Sequence, residues 1–393
     1  MVASVSALTN SAQASSYYEA DDYYAAGGLS PSAWHGRGAD RLGLSGAVDR
    51  AQFRELLDGK VGEQQLGRHL LTVGKDQPAQ HRPGWDVTLS APKSVSIMAE
   101  VAGDRRLIAA HGAAVKVALA HIETHMAATR LRRGGSIARE PTDNLLIASF
   151  QHGTSRAQDP QLHTHNIIMN ATCDTEGHWR SLEPRALYQL QKQIGAIYRQ
   201  ELAQEVRALG YEIELGKEAM FEIKGVTKDV MAAFSTRSAA IEAALDARGT
   251  SRSEASAAEK QLAALDTRQK KSAADHAALV TNWRETADSA GFDAQARRAL
   301  IARAEAWARP AATAVAAASA ADQAVRQAAE HLGERQSVFS AAALHEEAGR
   351  AGFGVTSYAQ IGGAIASACA RGELVARRFI DRRGASFAGF TTK

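Results

Sequence analysis

FQHGTSRAQDPQLHTHNIIMNAT, residues Phe150 to Thr172, is the stretch on which the reading of this chain turns. His163 and His165 are two apart, and on a β-strand residues i and i+2 project from the same face, so the spacing aims two imidazoles at one point. His152 ends the preceding apolar run, NLLIASF from Asn144 to Phe150, which is β-like. Between the two runs lies a polar segment with Gly153 and Pro160 that reads as a loop. Two neighbouring antiparallel strands would bring His152 up to the other pair. Three neutral imidazoles converging from one side form a divalent metal site with open positions on the other. An HxH tripeptide alone is short enough to arise by chance, so its meaning depends on the rest of the chain.

Length and composition bound that meaning. With 393 residues and 45% hydrophobic content the chain has room for one large domain and a smaller one. A net charge of +3 places any nucleic-acid surface in local patches. Cys173 and Cys369 are the two cysteines and form no CxxC, which excludes a disulfide framework and a structural zinc knuckle and fits a reducing cytoplasm. No basic flank precedes an apolar core at the N-terminus and no apolar run approaches ~18 residues, so neither a secretion signal nor membrane insertion is expected. No GxxxxGK[ST] occurs, which excludes a P-loop motor within these residues.

Upstream, SSYYEADDYYAAGG crowds Tyr17, Tyr18, Tyr23 and Tyr24 into one short segment, half of the chain's eight tyrosines. By themselves they fit an aromatic face or a base-stacking platform. Glycines 27, 28, 36 and 38 then break the chain into turns around Trp34, before a helical segment from Val48 to Leu57. In HRPGWDVTLSAPKSVSI, residues 81 to 97, Trp85, Val87 and Leu89 alternate with Asp86, Thr88 and Ser90, the period of a strand with one buried face. A carboxylate on a central strand needs a partner, and the free nitrogen of a ligating histidine or a nucleophile's hydroxyl would serve. An ordinary salt bridge would also satisfy Asp86. Helices are expected from about Val95 to Arg106 and from Leu107 to Thr129. TRLRRGGSIARE follows, with Arg130, Arg132, Arg133 and Arg139 around Gly134 and Gly135, a basic hairpin able to lie along a phosphate backbone. Beyond the histidines the pattern turns largely helical to about Ala308, and an alanine-rich stretch over 309–321 is the expected linker to a small module spanning 322–393.

Taken together, SYY followed by DDYY, HRPGWDVTLSAPKSVS, HGTSR with DPQLHTHN, and the ALDTR segment resemble the relaxase domain of the TraI/TrwC (MobF-type) conjugative relaxases of the HUH endonuclease superfamily. The resemblance runs from about Ser16 to Phe292. HLGERQSVFSAAAL, residues 331 to 344, is similar to the opening of the helicase part that follows in such proteins. The implied architecture is α+β: a palm-like, largely antiparallel sheet flanked by helices over residues 1–308, with helical fingers, and a helix-rich or winged-helix-like C-terminal module.

Carried residue by residue, the resemblance implies that His152, His163 and His165 hold one divalent ion, magnesium or manganese, with zinc, cobalt or nickel also compatible with imidazole ligands. It implies that Tyr17 is the primary nucleophile and Tyr23 serves a second strand transfer, with Tyr18 and Tyr24 sharing the work, and that Asp86 sits beside the histidines. The implied substrate is single-stranded DNA next to an origin-of-transfer hairpin. Arg82, Lys93, Arg130, Arg132, Arg133 and Arg156 are the expected DNA contacts on charge and position. A monomer in the donor cytoplasm, working with relaxosome accessory proteins and a type IV secretion coupling protein, completes the implied picture. Two other classes stay open on the residues alone: a metal-dependent hydrolase that activates water, and a non-catalytic protein that binds the origin hairpin.

Overall fold

The computed structural model describes residues 3–11, 31–66, 81–216, 220–251, 253–267, 275–308, 314–380 and 386–392. At its centre is a five-stranded antiparallel sheet whose middle strand is Pro160–Met169. Gly84–Ser90 and Ile147–Thr154 flank it, and Ala3–Ala7 and Ser32–His35 form the edges. The two inner neighbours and the middle strand carry the three segments singled out above. Gly84 starts its strand with φ 151°, and a Cβ there would stand 2.1 Å from the Ile168 carbonyl oxygen, so the sheet closes only around glycine.

Alternation divides the sheet cleanly. Trp85, Val87, Leu89, Ile147, Leu162 and Ile168 point to one face and join the main core. The helices Lys93–Glu100, Arg105–Met126 and Gln191–Ala208 cover that face. The second of these is nucleated by Asp104, whose carboxylate accepts from Arg106 N, and buries Leu107, Ala110, Ala114, Ala118 and Ile122 at helical spacing. The other face carries a smaller core, in which Trp34, Phe53, Phe150 and Ile167 meet, and beside it Asp86, Thr88, His152, His163 and His165.

The hairpin expected at Gly134 and Gly135 is present, pairing Ala128–Arg133 with Ser136–Pro141, and both glycines have positive φ, as a type I′ turn requires. Two edge strands, Ala3–Ala7 and Ser32–His35, had no sequence signal. Small residues dominate the first, and glycines surround the second. The alanine-rich stretch is also not a linker where it is described, because Ala314–Gly333 is one helix. Alanine has the highest helix propensity, and Ala317, Ala321, Ala324 and Ala328 are buried in the C-terminal core. That module continues with helices Ala341–Ala351 and Tyr358–Ala370 and a three-stranded antiparallel sheet, the element order of a winged helix. It docks on Gln191–Ala208, where Gln200 Nε2 donates to Thr356 O at 3.0 Å and the Glu201 carboxylate accepts from Tyr358 N.

Candidate metal centre

His152 lies directly opposite His163 in the strand pairing, and His165 follows two residues on, so all three rings leave the same face of the sheet. The rings sit edge to edge or tilted, with centroids 5.3 Å apart for His152 and His163, 5.3 Å for His152 and His165, and 5.0 Å for His163 and His165. Their nearest ring nitrogens all lie within 4.8 Å of one another. His152 and His165 are buried and His163 is partly exposed.

Hydrogen bonding fixes which nitrogen two of the rings present. His163 Nδ1 lies 2.8 Å from the Gln161 carbonyl oxygen, an acceptor only, so Nδ1 carries the proton. His165 Nδ1 donates to Asp86 Oδ2 at 2.7 Å, with Thr88 Oγ1 also 3.1 Å away. In both neutral rings Nε2 is left with its lone pair, the state a metal ligand needs. Asp86 is held in turn by Thr88 Oγ1, which donates to Oδ1 at 3.1 Å. Asp86 thus lies beside the histidine cluster, with its carboxylate on the His165 ring. A cation about 2.1 Å from each nitrogen tolerates nitrogen separations up to ~4 Å, so the donor set fits one divalent ion with small ring adjustments and leaves further coordination positions for substrate.

The loop between the histidine strands is braced from afar. Ser155 N donates to Asp159 O at 2.9 Å, and Gln158 adopts φ 62°. Trp283 Nε1 donates to Gln158 O at 2.7 Å, and Thr236 Oγ1 to Asp159 Oδ1 at 2.7 Å. Burial raises the Asp159 carboxyl above its ordinary range, opposed by the Thr236 hydrogen bond and Lys93.

The expected DNA-contact residues divide. Arg82, Arg130 and Arg132 are exposed, and Arg156 is half-buried in the braced loop. Arg133 lies in the hairpin strand Ala128–Arg133. Arg130 lines a cleft of about 530 Å³ with Ile137, Arg139 and Arg185. Lys93 is placed differently from its expected role. Its ammonium donates to Pro160 O at 3.2 Å and Phe234 O at 2.8 Å, which ties the start of the middle strand to a downstream helix, and burial lowers its pKa. Tyr17, Tyr18, Tyr23 and Tyr24 lie outside the described residues.

Residues 11–290 match the family model described as TrwC relaxase. The chain belongs to the TrwC relaxase family. It is 39% identical over 306 residues to the multifunctional conjugation protein TraI of Escherichia coli (strain K12), and 40% identical to a second TraI from Escherichia coli. The alignment covers 75% of this chain and 16% of each TraI, so this chain corresponds to a minor part of those proteins. Among solved structures it is similar to the copper-bound complex of conjugative relaxase TrwC with oriT DNA, at 41% identity and TM-score 0.67 over 74% of this chain and 99% of that one. The complex of TrwC with a 27-mer DNA comprising the recognition hairpin and the cleavage site matches at 38% identity and TM-score 0.66, again over 74% and 99%. Its palm-like α+β fold is therefore shared with the TrwC relaxase structures.

Sequence reasoning missed two residues on the far side of the histidine strand, His111 and Tyr198. Both lie on amphipathic helices at positions where an apolar residue would have satisfied the same pattern.

Proposed function

We propose that this chain nicks one strand of DNA at an origin of transfer by tyrosine transesterification and reverses the step to end transfer. The observation that carries the proposal is the convergence of three imidazoles, two of them oriented by a hydrogen bond at Nδ1. Its relatives' complexes with oriT DNA and with metal support it.

His152, His163 and His165 would hold one divalent ion. When bound, the ion neutralises charge on the non-bridging oxygens of the scissile phosphate and orients it. Magnesium or manganese is our assignment, with zinc, cobalt or nickel as alternatives that imidazole accepts. Tyr17 supplies the nucleophile. Its phenol oxygen bonds to phosphorus as the bond from phosphorus to the 3′-oxygen breaks, the phenolic proton is released, and the departing oxygen takes up a proton. The products are a 5′-phosphotyrosyl link and a free 3′-hydroxyl. Because an ester replaces an ester, the 3′-hydroxyl can attack again and reseal the strand. Tyr23 would take over the strand in a second transfer, with Tyr18 and Tyr24 as partners. Asp86 holds His165 in its metal-binding tautomer.

Exposed Arg82, Arg130 and Arg132, together with Arg133 and Arg156, are proposed to follow the backbone of the single strand and of its adjacent hairpin. Relaxosome accessory proteins and a type IV coupling protein are the proposed partners of a monomer acting in the donor cytoplasm and carried to the recipient with the DNA. No helix among the described residues is long and apolar enough to cross a membrane. The test is a denaturing gel after incubation with single-stranded origin DNA and manganese. A covalent protein–DNA band is expected that chelator, His163→Ala and Tyr17→Phe each abolish. Cutting by Tyr17→Phe without an adduct would instead establish water as the nucleophile, and origin binding without any cutting would leave a binding protein.

A further inference from the structure

Behind the middle strand, on the face away from the histidine site, lies a chain of three polar side chains inside the main core. His111, from the long helix Arg105–Met126, is fully buried. Its Nε2 lies 2.7 Å from Thr164 Oγ1, and its Nδ1 lies 2.6 Å from the hydroxyl of Tyr198 on the helix Gln191–Ala208. Thr164 and Tyr198 are buried as well. An apolar residue would pack this core without the cost of burying an imidazole and a phenol, so the polar chain needs a reason beyond burial. Its position supplies one. Thr164 is the residue between His163 and His165, and by strand alternation its side chain points down while theirs point up.

We propose that His111 is a positioning residue for the metal centre: by gripping Thr164 from below, it fixes the height and pitch of the strand segment that carries two of the three imidazoles. This rests on the reading of those imidazoles as the cation site. The grip is rigid at both ends. Tyr198 holds the far side of the ring, and the two tight hydrogen bonds leave the imidazole one orientation. Burial lowers the His111 pKa to about 3, with a further contribution from His163, so the ring stays neutral and pairs with both hydroxyls at any working pH. On the same face of the strand, two residues on, Asn166 Nδ2 donates to Val87 O at 2.8 Å and its Oδ1 accepts from Ser149 Oγ at 2.7 Å. Polar pins therefore sit beneath the strand at alternate residues, 164 and 166, bracketing His165.

Partners that orient metal ligands typically cost 10–100-fold in affinity when removed. Acting one residue removed from the ligands, the His111 grip is expected at the low end, about 10-fold. The test is cobalt(II) titration followed by the visible ligand-field spectrum, which reports affinity and coordination geometry without DNA or turnover. The wild type is compared with His111→Leu, His111→Gln and Thr164→Val, with thermal melting recorded for each. Thr164→Val keeps volume and removes only the upper hydroxyl, so it covers the case in which His111→Leu fails to fold. Weaker cobalt binding with an altered spectrum in Thr164→Val and His111→Leu, and recovery toward wild type in His111→Gln, would support the proposal. Cobalt affinity and spectrum within twofold of wild type in the folded variants would overturn it. Loss in proportion to melting temperature with no rescue by glutamine would overturn it too, by assigning His111 to the core alone. If the wild type and all variants fail to bind cobalt, the cation-site reading itself fails, and that outcome is recognisable because it does not separate the variants.

Discussion

Replacing Asp86 by asparagine isolates one charge at the metal centre. Asp86 Oδ2 accepts from His165 Nδ1 at 2.7 Å, and Oδ1 accepts from Thr88 Oγ1 at 3.1 Å. Asparagine keeps the shape and one acceptor oxygen, but loses the negative charge and gains an NH2 that cannot accept from His165. A hydrogen bond to a charged group contributes about 1.5–3 kcal/mol, against about 1 kcal/mol for a neutral one, so the substitution removes roughly 0.5–2 kcal/mol of support for the metal-binding tautomer. At 1.4 kcal/mol per factor of ten, this amounts to about a 10-fold loss in cation affinity, within the 10–100-fold expected for a residue that orients a metal-bound histidine. The assay is manganese binding followed by electron paramagnetic resonance of the free ion, near pH 7. Asp86→Ala should lose more than Asp86→Asn, because it removes the acceptor oxygen that asparagine keeps. Manganese affinity within twofold of wild type in both variants would refute the reasoning.

Further outcomes follow from other parts of the molecule. Gly84→Ala should cost about 3 kcal/mol of stability by denaturant unfolding, or prevent folding, since its Cβ would collide with the Ile168 carbonyl. His121 and His345 both pack on the Tyr358 ring at the contact with the C-terminal module, with pKa values lowered by burial to about 3 and about 4. The unfolded chain then binds protons that the folded chain refuses, so stability is full above pH 6.5 and falls as pH drops from there toward 4, at up to about 1.4 kcal/mol per pH unit per histidine. Melting temperature that stays flat between pH 7 and pH 5 in the wild type, or that falls equally in His345→Gln, would contradict this. Arg130→Ala and Arg132→Ala should each weaken binding of the origin hairpin and flatten the plot of log affinity against log salt by about one charge, measured by fluorescence anisotropy.

Much of the site was legible because its chemistry is written at short range. The HxH spacing and the alternation around Asp86 place residues on one face by strand geometry alone, and the structure pairs those strands side by side. What was not legible depends on contacts between distant segments. Ala3–Ala7 carries no strand signal of its own and becomes a strand by pairing with Gly84–Ser90. Alanine repeats at 314 and beyond look like low complexity until the small side chains are seen packed in a helix core. Lys93 looked like a DNA contact because charge near a site reads that way in one dimension, whereas its ammonium is held by two main-chain carbonyls. His111 was hidden for a related reason: an imidazole on the buried stripe of a helix has no visible purpose until the strand it grips is known.

The claim on which the rest stands is that a phenol from the amino-terminal tyrosines works against a cation held by His152, His163 and His165. A crystal structure with manganese and an uncleavable origin oligonucleotide measures it directly. The expected result is one anomalous peak within roughly 2.3 Å of a nitrogen of each histidine, and the Tyr17 oxygen about 3–3.5 Å from phosphorus of the scissile phosphate. A manganese peak away from those three rings, or a phosphate that none of the four tyrosines reaches, would contradict it.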